Sequence, residues 1–536
     1  MPAVDIVGEP RVHRHELLAA LSRGIDLCMG QPMGHVLGQT YIALRLAERA
    51  GLDADERREV FHTSMLSWAG CHVDSLEQAR WFGDDHRVKA DLRNLDLADD
   101  QDGMVFMLRN VGAGQPWSQR RRTLAAFREE GVREADEMFA NHLAAAAALA
   151  EALGVPGQLC SGLDQVFERW DGKGEPRGLR GDEADFSARA ANLGDVVLAI
   201  RRAGGTDAAV AVARARRGTQ FDPDLVDLFC DEAEEIFDTL DAGEAFDSTM
   251  RLCPGLDDEI DGDRLDESLV VLADYVDLKT PTLLGHQAAT AELVDAAAGE
   301  FGLTAVERAG VRRAALLHDL GRMGVPAAVW ESRRPHTPAQ VEQLRLHPYY
   351  TEAILEPFPG LRLHGRVACQ HHERLDGSGY PRGISSAELS RPARLLAAAD
   401  LYTSASTHRP HRPAIPATEL PALLRGEVRE GRLDADAVEA VLVAAGHRRH
   451  RRREWPEGLT DREVEVLGLA ARGRSNAEIA AHLHVSPKTI GHHIDHIYTK
   501  TGARNRATVA VFAMRHRLLG DETSSVERRE DGAFTP

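Results

Sequence analysis

The chain has 536 residues, of which 43% are hydrophobic and 28% charged; 64 Lys and Arg against 84 Asp and Glu give a net charge of −20. That length predicts several domains, and that composition excludes a disordered chain. No apolar run reaches the roughly 18 residues a membrane helix needs; the opening MPAVDIVGEPRVHRHELL lacks the basic-then-apolar order of a secretory leader; and six cysteines without a CxxC pair predict free thiols in a cytoplasmic protein rather than a disulfide framework or zinc finger.

In chain order, apolar residues recur at three- and four-residue spacing over 15–29, 141–153, 226–240, 286–301 and 305–321, with Gly and Pro mainly between them. This periodicity predicts an all-α protein whose functional side chains come from several helices. Charge is uneven. Residues 447–519 carry fourteen Lys and Arg against seven acids, a net of +7, and 520–536 carry −3, which leaves −24 for residues 1–446. A basic module at the end of an acidic chain is a pattern of nucleic-acid contact. The Arg-rich stretch 447–457 reads as an exposed linker and 521–536 as a disordered tail.

Laid on itself, the chain repeats. At an offset of 251 residues, Gly34-His35 falls on Gly285-His286, and Ala47, Gly51, Leu52, Glu56, Arg57, Val60, Leu66 and Gly70 fall on identical residues. Further on the offset becomes 205: FERWDGKGEPRG (167–178) lies on HERLDGSGYPRG (372–383), and Asp195 on Asp400. The predicted organisation is a first repeat (1–255) with about 46 extra residues, a second repeat (256–446), the linker (447–457), a small helical domain (458–520) and the tail (521–536).

The second repeat concentrates His286, His318-Asp319, His347, His371-His372 and Asp400. Five imidazoles and two carboxylates suit borderline divalent metals such as Fe, Mn or Zn. On a helix, adjacent residues diverge by about 100°, so an Asp next to a His can point between two ions. The first repeat keeps His35 and Asp195, but Ser67-Trp68 replaces the His-Asp pair, Val166-Phe167 the His-His pair, and Glu175 stands at the position of Tyr380. It is expected to hold no catalytic metal and to fill the space with Trp68 and Phe167.

LLHDLGRMGVP (316–326), LHP (346–348), HHERLDGSGYPRG (371–383) and AAADLY (397–402) resemble the HD-GYP family of metal-dependent phosphohydrolases over about 160 residues. The resemblance implies that His286, His318, Asp319, His347, His371, His372 and Asp400 hold two divalent ions, Fe or Mn rather than Zn, with Asp319 bridging. It implies hydrolysis of a phosphoester such as cyclic di-GMP, Asp319 orienting the nucleophile, and Gly377, Gly379, Tyr380 and Pro381 at the substrate. Arg322 stands where the family has Lys and is expected to donate to a phosphate oxygen. Thr282, where some relatives carry a Glu ligand for a third ion, favours two metals.

Residues 459–519 resemble the LuxR-type helix-turn-helix. Thr460 with Glu463 reads as a capping box, Asn476–Leu483 as a scaffold helix, His484-Val485 as the turn, and Ser486-Pro487 as the start of the recognition helix. Ile490, Ile494 and Ile497 are assigned to its inner face. The resemblance implies duplex DNA as partner, with Lys488, Thr489, Gly491, His492, Asp495, Lys500, Arg504 and Arg506 at bases and phosphates, and a homodimer. The fold class is therefore two tandem HD-type helical domains followed by a four-helix LuxR-type domain. Two functional readings are open: a regulator whose HD-GYP module is an active phosphodiesterase, or one whose module binds a ligand or partner without turnover.

Overall fold

The computed structural model describes residues 11–519 except 94, 97, 257, 261, 447–454 and 484. Most of the linker, His484 of the turn and the tail 521–536 thus lie outside the described residues. Among the described residues, strands amount to Val12–His13 and Glu259–Ile260, and the rest of the ordered structure is helix. No described helix is long and apolar enough to cross a membrane.

Two compact units are present. One runs from His13 to Ile260 and includes 326–328; the other takes Asp261–Val325 and the chain from Val329 onward. In the first unit the helix His35–Arg49 packs against Ala54–Leu66 and Phe186–Ala215, the last broken at Gly205. In the second, His286–Ala298 packs against Ala305–Leu317, Arg391–Ser406 and Ala435–Gly446. Both cores thus use the same three helices. Their starts are written alike: Asp53 with Glu56, and Thr304 with Glu307, form capping boxes for Ala54–Leu66 and Ala305–Leu317.

The residues inside these helices are small or branched. Val36, Ile42, Leu44 and Val60 are fully buried in the first core, as are Val294, Val311, Leu317 and Leu395 in the second. Each such side chain contributes about 1.5–3 kcal/mol, so the packing defines where the polar residues between them must sit.

One boundary differs from the periodicity. The predicted helix 305–321 ends at Leu317 and turns into a 3-10 segment, Leu320–Gly324. His318 and Asp319 therefore lie on an exit turn, and His371 and His372 likewise follow the end of Pro359–Ala368. The divergence of each adjacent pair comes from these turns and not from helical twist.

Candidate metal centre and DNA-facing surface

Five segments deliver the seven predicted ligands. His286 opens its helix after Gly285, His347 opens His347–Leu355, the two adjacent pairs lie on exit turns, and Asp400 sits within Arg391–Ser406. The structure brings all seven together. His286, His318 and Asp400 form one buried trio of ligand atoms within 4.8 Å of one another; His347, His371 and His372 form another.

The two carboxylates join the trios. Asp319 Oδ2 faces His286 Nε2 at 3.7 Å and His318 Nε2 at 3.5 Å, while its Oδ1 faces His347 Nε2 at 3.3 Å and His371 Nε2 at 3.7 Å. Asp400 Oδ1 faces His286 at 3.2 Å and His318 at 3.7 Å, and its Oδ2 faces His372 Nδ1 at 3.8 Å. Each carboxylate thus offers one oxygen to each trio.

The imidazoles are oriented from behind. The Nδ1 atoms of His318, His347 and His371 face the carbonyls of Ala315, Leu344 and Ala368 at 2.7, 2.5 and 2.7 Å. Nδ1 carries a proton there, so that whenever the ring is neutral the Nε2 lone pair is directed inward. His318 Nε2 is buried without a hydrogen-bond partner. Such an orphaned nitrogen, among Asp oxygens beyond bonding distance, fits a cation between them.

Electrostatics agree with that fit. Burial raises the cost of the Asp319 and Asp400 charges, yet the surrounding histidines, joined at Asp319 by Arg322, hold both carboxyls well below the usual range. Burial pushes His371 down to about 3, with His318 adding to the effect, and burial together with His371 holds His372 well below the usual histidine range. His318 is the exception: burial opposes its charge, but Asp319 and Asp400 outweigh burial and raise it to about 9. His371 and His372 are thus held as neutral donors beside two anions, the state in which metals bind.

Two expected roles change. Arg322 is fully buried and spends its guanidinium internally: Nη1 donates to Asp277 at 2.8 Å and Asp319 at 3.3 Å, and Nη2 donates to Thr280. It lies over Trp330, 5.3 Å from the ring centroid. In this structure Arg322 orients Asp319 and does not face outward for a phosphate. Gly379 also differs from expectation. A Cβ there would lie 2.4 to 2.5 Å from the backbone of 372–374, so its bareness serves the fold of its own loop rather than a ligand. The buried Glu373 carboxylate ties that loop by accepting from the Arg382 and Ile384 amides at 2.8 and 3.1 Å. Tyr380 stacks on His372 at 4.7 Å, and the His372 side chain is 22% exposed where the other four imidazoles are nearly fully buried. The opening to solvent is therefore on the Tyr380 side.

Sequence reading missed several residues. Thr282 donates at 2.8 Å to Glu331, whose carboxyl is pushed up by burial; a carboxylate from elsewhere in the chain thus reaches the position where Thr282 has none. Burial, with Arg322 and Arg412 beside it, lowers the Arg409 guanidinium to about 10, while Asp319 and Asp400 pull the other way. No local string marks Glu331 or Arg409, since only the fold sets them beside the site.

In the first repeat, Asp195 Oδ1 accepts from His35 Nε2 at 2.7 Å and from Arg93 Nε at 2.9 Å. Arg93 also lies over Trp68, 4.7 Å from the ring centroid. Trp68 and Phe167 meet edge to face at 5.9 Å, as expected for apolar filling. His142, at the offset of 205 from His347, is a third retained histidine that the sequence comparison overlooked. It sits 4.8 Å from Phe167 and bonds the Ser67 carbonyl at 2.7 Å. Burial lowers it to about 4.

The C-terminal module has helices Asp461–Ala471, Asn476–His482, Pro487–Thr501 and Arg506–Arg515. Thr460 and Glu463 form the predicted capping box, Ser486 caps through the Thr489 amide at 3.1 Å, and Ile490, Ile494 and Ile497 face inward. Lys488, His492, Asp495 and Arg504 are exposed, with Thr489 and Gly491 partly so. Two expected phosphate contacts are engaged elsewhere. Lys500 Nζ donates to Glu463 at 2.6 Å and to the Gly458 carbonyl at 3.0 Å, and Arg506 donates to Asn476 at 2.7 Å and to the Arg474 carbonyl. Both tie the module together because a nearby acceptor inside the domain outcompetes solvent for a donor on a long side chain.

Residues 270–437 match the HD domain family, and residues 457–513 match the bacterial regulatory proteins of the luxR family. The 3'3'-cGAMP-specific phosphodiesterase 3 of Vibrio cholerae is 28% identical over 421 residues, covering 76% of this chain and 90% of that protein. A cyclic di-GMP phosphodiesterase of Thermotoga maritima is 32% identical over 179 residues, which is 33% of this chain and 47% of that one. The chain therefore spans less than half of that second relative. The crystal structure of a cyclic GMP-AMP specific phosphodiesterase from V. cholerae superposes with a TM-score of 0.59 at 24% identity, covering 82% of this chain and 99% of its own. At that identity the likeness establishes the fold alone.

Proposed function

From a chain that carries an HD domain and, after it, a luxR-family regulatory domain, we propose a DNA-binding regulator whose second repeat is a binuclear metal phosphodiesterase for cyclic dinucleotides. The observation that carries the reading is the pair of divided carboxylates: Asp319 and Asp400 each present one oxygen to His286 and His318 and the other to the second trio of histidines. His286, His318 and Asp400 would hold one ion, His347, His371 and His372 the other, with Asp319 shared. When bound, two divalent ions acidify water and neutralise charge on phosphoryl oxygens.

The chain's own residues supply the rest. Arg322 holds Asp319 in orientation through Asp277 and Thr280. Tyr380, stacked on His372 and with Arg345 over its ring, would border the substrate at the exposed edge of the centre. Arg409 places a cation near both carboxylates, where phosphate charge would arrive. The substrate class rests on the relatives: one is named for 3'3'-cGAMP and one for cyclic di-GMP, and both share the 3',5'-phosphodiester that such a centre would attack. On the DNA side, Lys488 and Arg504 remain available to phosphates and Thr489, Gly491, His492 and Asp495 to base edges, in a module that would act as a homodimer.

The test is metal content by elemental analysis together with turnover of 3'3'-cGAMP and cyclic di-GMP by the full-length protein. About two equivalents of Fe or Mn and linearised dinucleotide product are expected. One observation favours the non-catalytic alternative: both terminal nitrogens of Arg322, the residue standing in place of the family's Lys, are engaged by Asp277, Asp319 and Thr280. Tight dinucleotide binding with metal present and no product would establish that alternative. For DNA, affinity should fall steeply with salt as phosphate contacts release counterions; a duplex that is never retarded at any salt concentration rejects the DNA assignment.

A further inference from the structure

The DNA-binding module rests on the segment that leads into the metal centre. The Leu519 carbonyl lies against Gly285 so closely that a Cβ on this glycine, whose φ is +79°, would be 1.9 Å from the oxygen. Arg472 Nη2 approaches the Leu284 carbonyl at 3.4 Å, and Gly473 faces Pro281. The helix Arg506–Arg515 packs against Gly262–Asp277, and Leu518 and Leu519 are 6% exposed. The module's reading face points away from this contact, since Lys488, His492, Asp495 and Thr499 are exposed.

The other side of the same segment belongs to the centre. His286 follows Gly285 directly. Thr280 accepts from Arg322, which holds Asp319, and Lys279 Nζ donates to the Met323 carbonyl at 2.7 Å, in the 3-10 segment after Asp319. Residues 279–286 therefore touch the DNA-binding module on one face and the predicted ligands on the other.

We propose that residues 279–286 couple the two modules, so that occupation of the metal centre changes the affinity for duplex DNA and DNA changes the affinity of the centre. The physical basis is close packing. His286 opens its helix directly after Gly285, and Gly285 packs so tightly on the Leu519 backbone that a shift of the segment carrying His286 is transmitted to Leu519. Small shifts at a tight contact are resolved by a change of arrangement rather than by compression. Because the reading face is free while the module is docked, docking controls its placement rather than covering it. Thermodynamic linkage then requires equal factors in both directions.

This inference rests on the metal reading above, and its test uses full-length protein. The probe is a fluorescent duplex selected from a random-sequence library, titrated by anisotropy with chelated protein, with Mn2+, and with Mn2+ plus a phosphorothioate cyclic dinucleotide. We expect DNA affinity to differ by at least about fivefold between chelated and occupied states, and Mn2+ affinity to differ by the same factor with and without DNA. Leu519→Asp and Arg472→Ala should each reduce that factor toward one while DNA binding and metal uptake persist; the second variant serves if the first fails to fold. Equal DNA affinities in all three states, with metal uptake verified by elemental analysis, would overturn the proposal, as would an undiminished factor in both variants. A chain that takes up no metal overturns the metal reading and the coupling together. A chain that takes up metal, hydrolyses nothing and still shifts its DNA affinity loses only the phosphodiesterase reading.

Discussion

The two repeats solve the same electrostatic problem in different ways. Each buries an aspartate at the same place on the same helix, Asp195 in the first and Asp400 in the second, beside a histidine that opens the facing helix. A buried carboxylate must be paired or it is too costly to keep ionised. In the second repeat the surroundings are further imidazoles and Asp319, a set that calls for metal ions. In the first, the insertion supplies the helix Asp85–Leu92, and Arg93 just beyond it places a guanidinium on Asp195 and over Trp68. The extra residues thus bring a guanidinium to the place where the second repeat gathers histidines. The loop that follows is kept in both: Glu168 accepts from the Arg177 and Leu179 amides as Glu373 does from Arg382 and Ile384. The shared helices and this loop are kept, while the insertion and the residues around the buried aspartate differ.

The sharpest way to break this comparison is to remove the pair that only the second repeat has. His318→Ala with Asp319→Ala should abolish phosphodiesterase activity and strip most bound metal, as read by turnover and elemental analysis. An unchanged metal content in the double variant would overturn the assignment of His318 and Asp319 as ligands. Next in size, Arg93→Ala should destabilise the first repeat by about 3 kcal/mol or more, because it leaves the buried Asp195 with His35 alone. Denaturant unfolding of the full-length protein reads the loss, and an unchanged midpoint would show that Arg93 is not the substitute cation.

Trp68→Ala removes a half-buried indole that touches Phe167 and His142. It should cost about 2–3 kcal/mol while hydrolysis by the second repeat continues. A comparable loss of turnover would mean that the first repeat does more than support the fold.

The pH dependence sharpens the comparison further. His142 is held neutral, with its affinity for a proton lowered by burial to about 4 from an ordinary value near 6.5. Between those values the unfolded chain binds the extra proton and the folded one does not, so stability falls as pH drops through this window. His142→Asn should flatten the stability profile between pH 7 and pH 5 by about 2 kcal/mol relative to the parent, measured by unfolding at both pH values. An unaltered slope would show that His142 is already charged in the fold. The smallest effect expected is for Tyr380→Ala, which should keep both metals and weaken the Michaelis constant about tenfold through loss of stacking.

Much of this was legible without coordinates. The seven candidate ligands, the repeat at offsets of 251 and 205, the capping box at Thr460 and the inward Ile490, Ile494 and Ile497 are local strings or fixed spacings, and such patterns reflect local physics. The same spacing that places His371 over Val166 also places His347 over His142, so that third retained histidine was available to a longer comparison.

What the sequence by itself determined is therefore the helical class, the internal repeat with a basic segment after it, and the seven residues that the fold gathers in the second repeat. The tertiary structure alone decided what each donor faces. Arg322 looks like a free phosphate ligand in the string LLHDLGRMGVP, but Asp277 and Thr280, some 40 residues upstream, take its guanidinium. Arg93 lies in the insertion that has no counterpart, so no offset could assign it to Asp195 across 102 residues of chain. Lys500 and Arg506 read as surface cations until the fold supplies Glu463 and Asn476 as acceptors. A charged side chain has several partners within reach in three dimensions, and sequence spacing reports only those within a helical turn or two; the long-range pairing that turns a residue into ligand, orienter or tether is settled by packing.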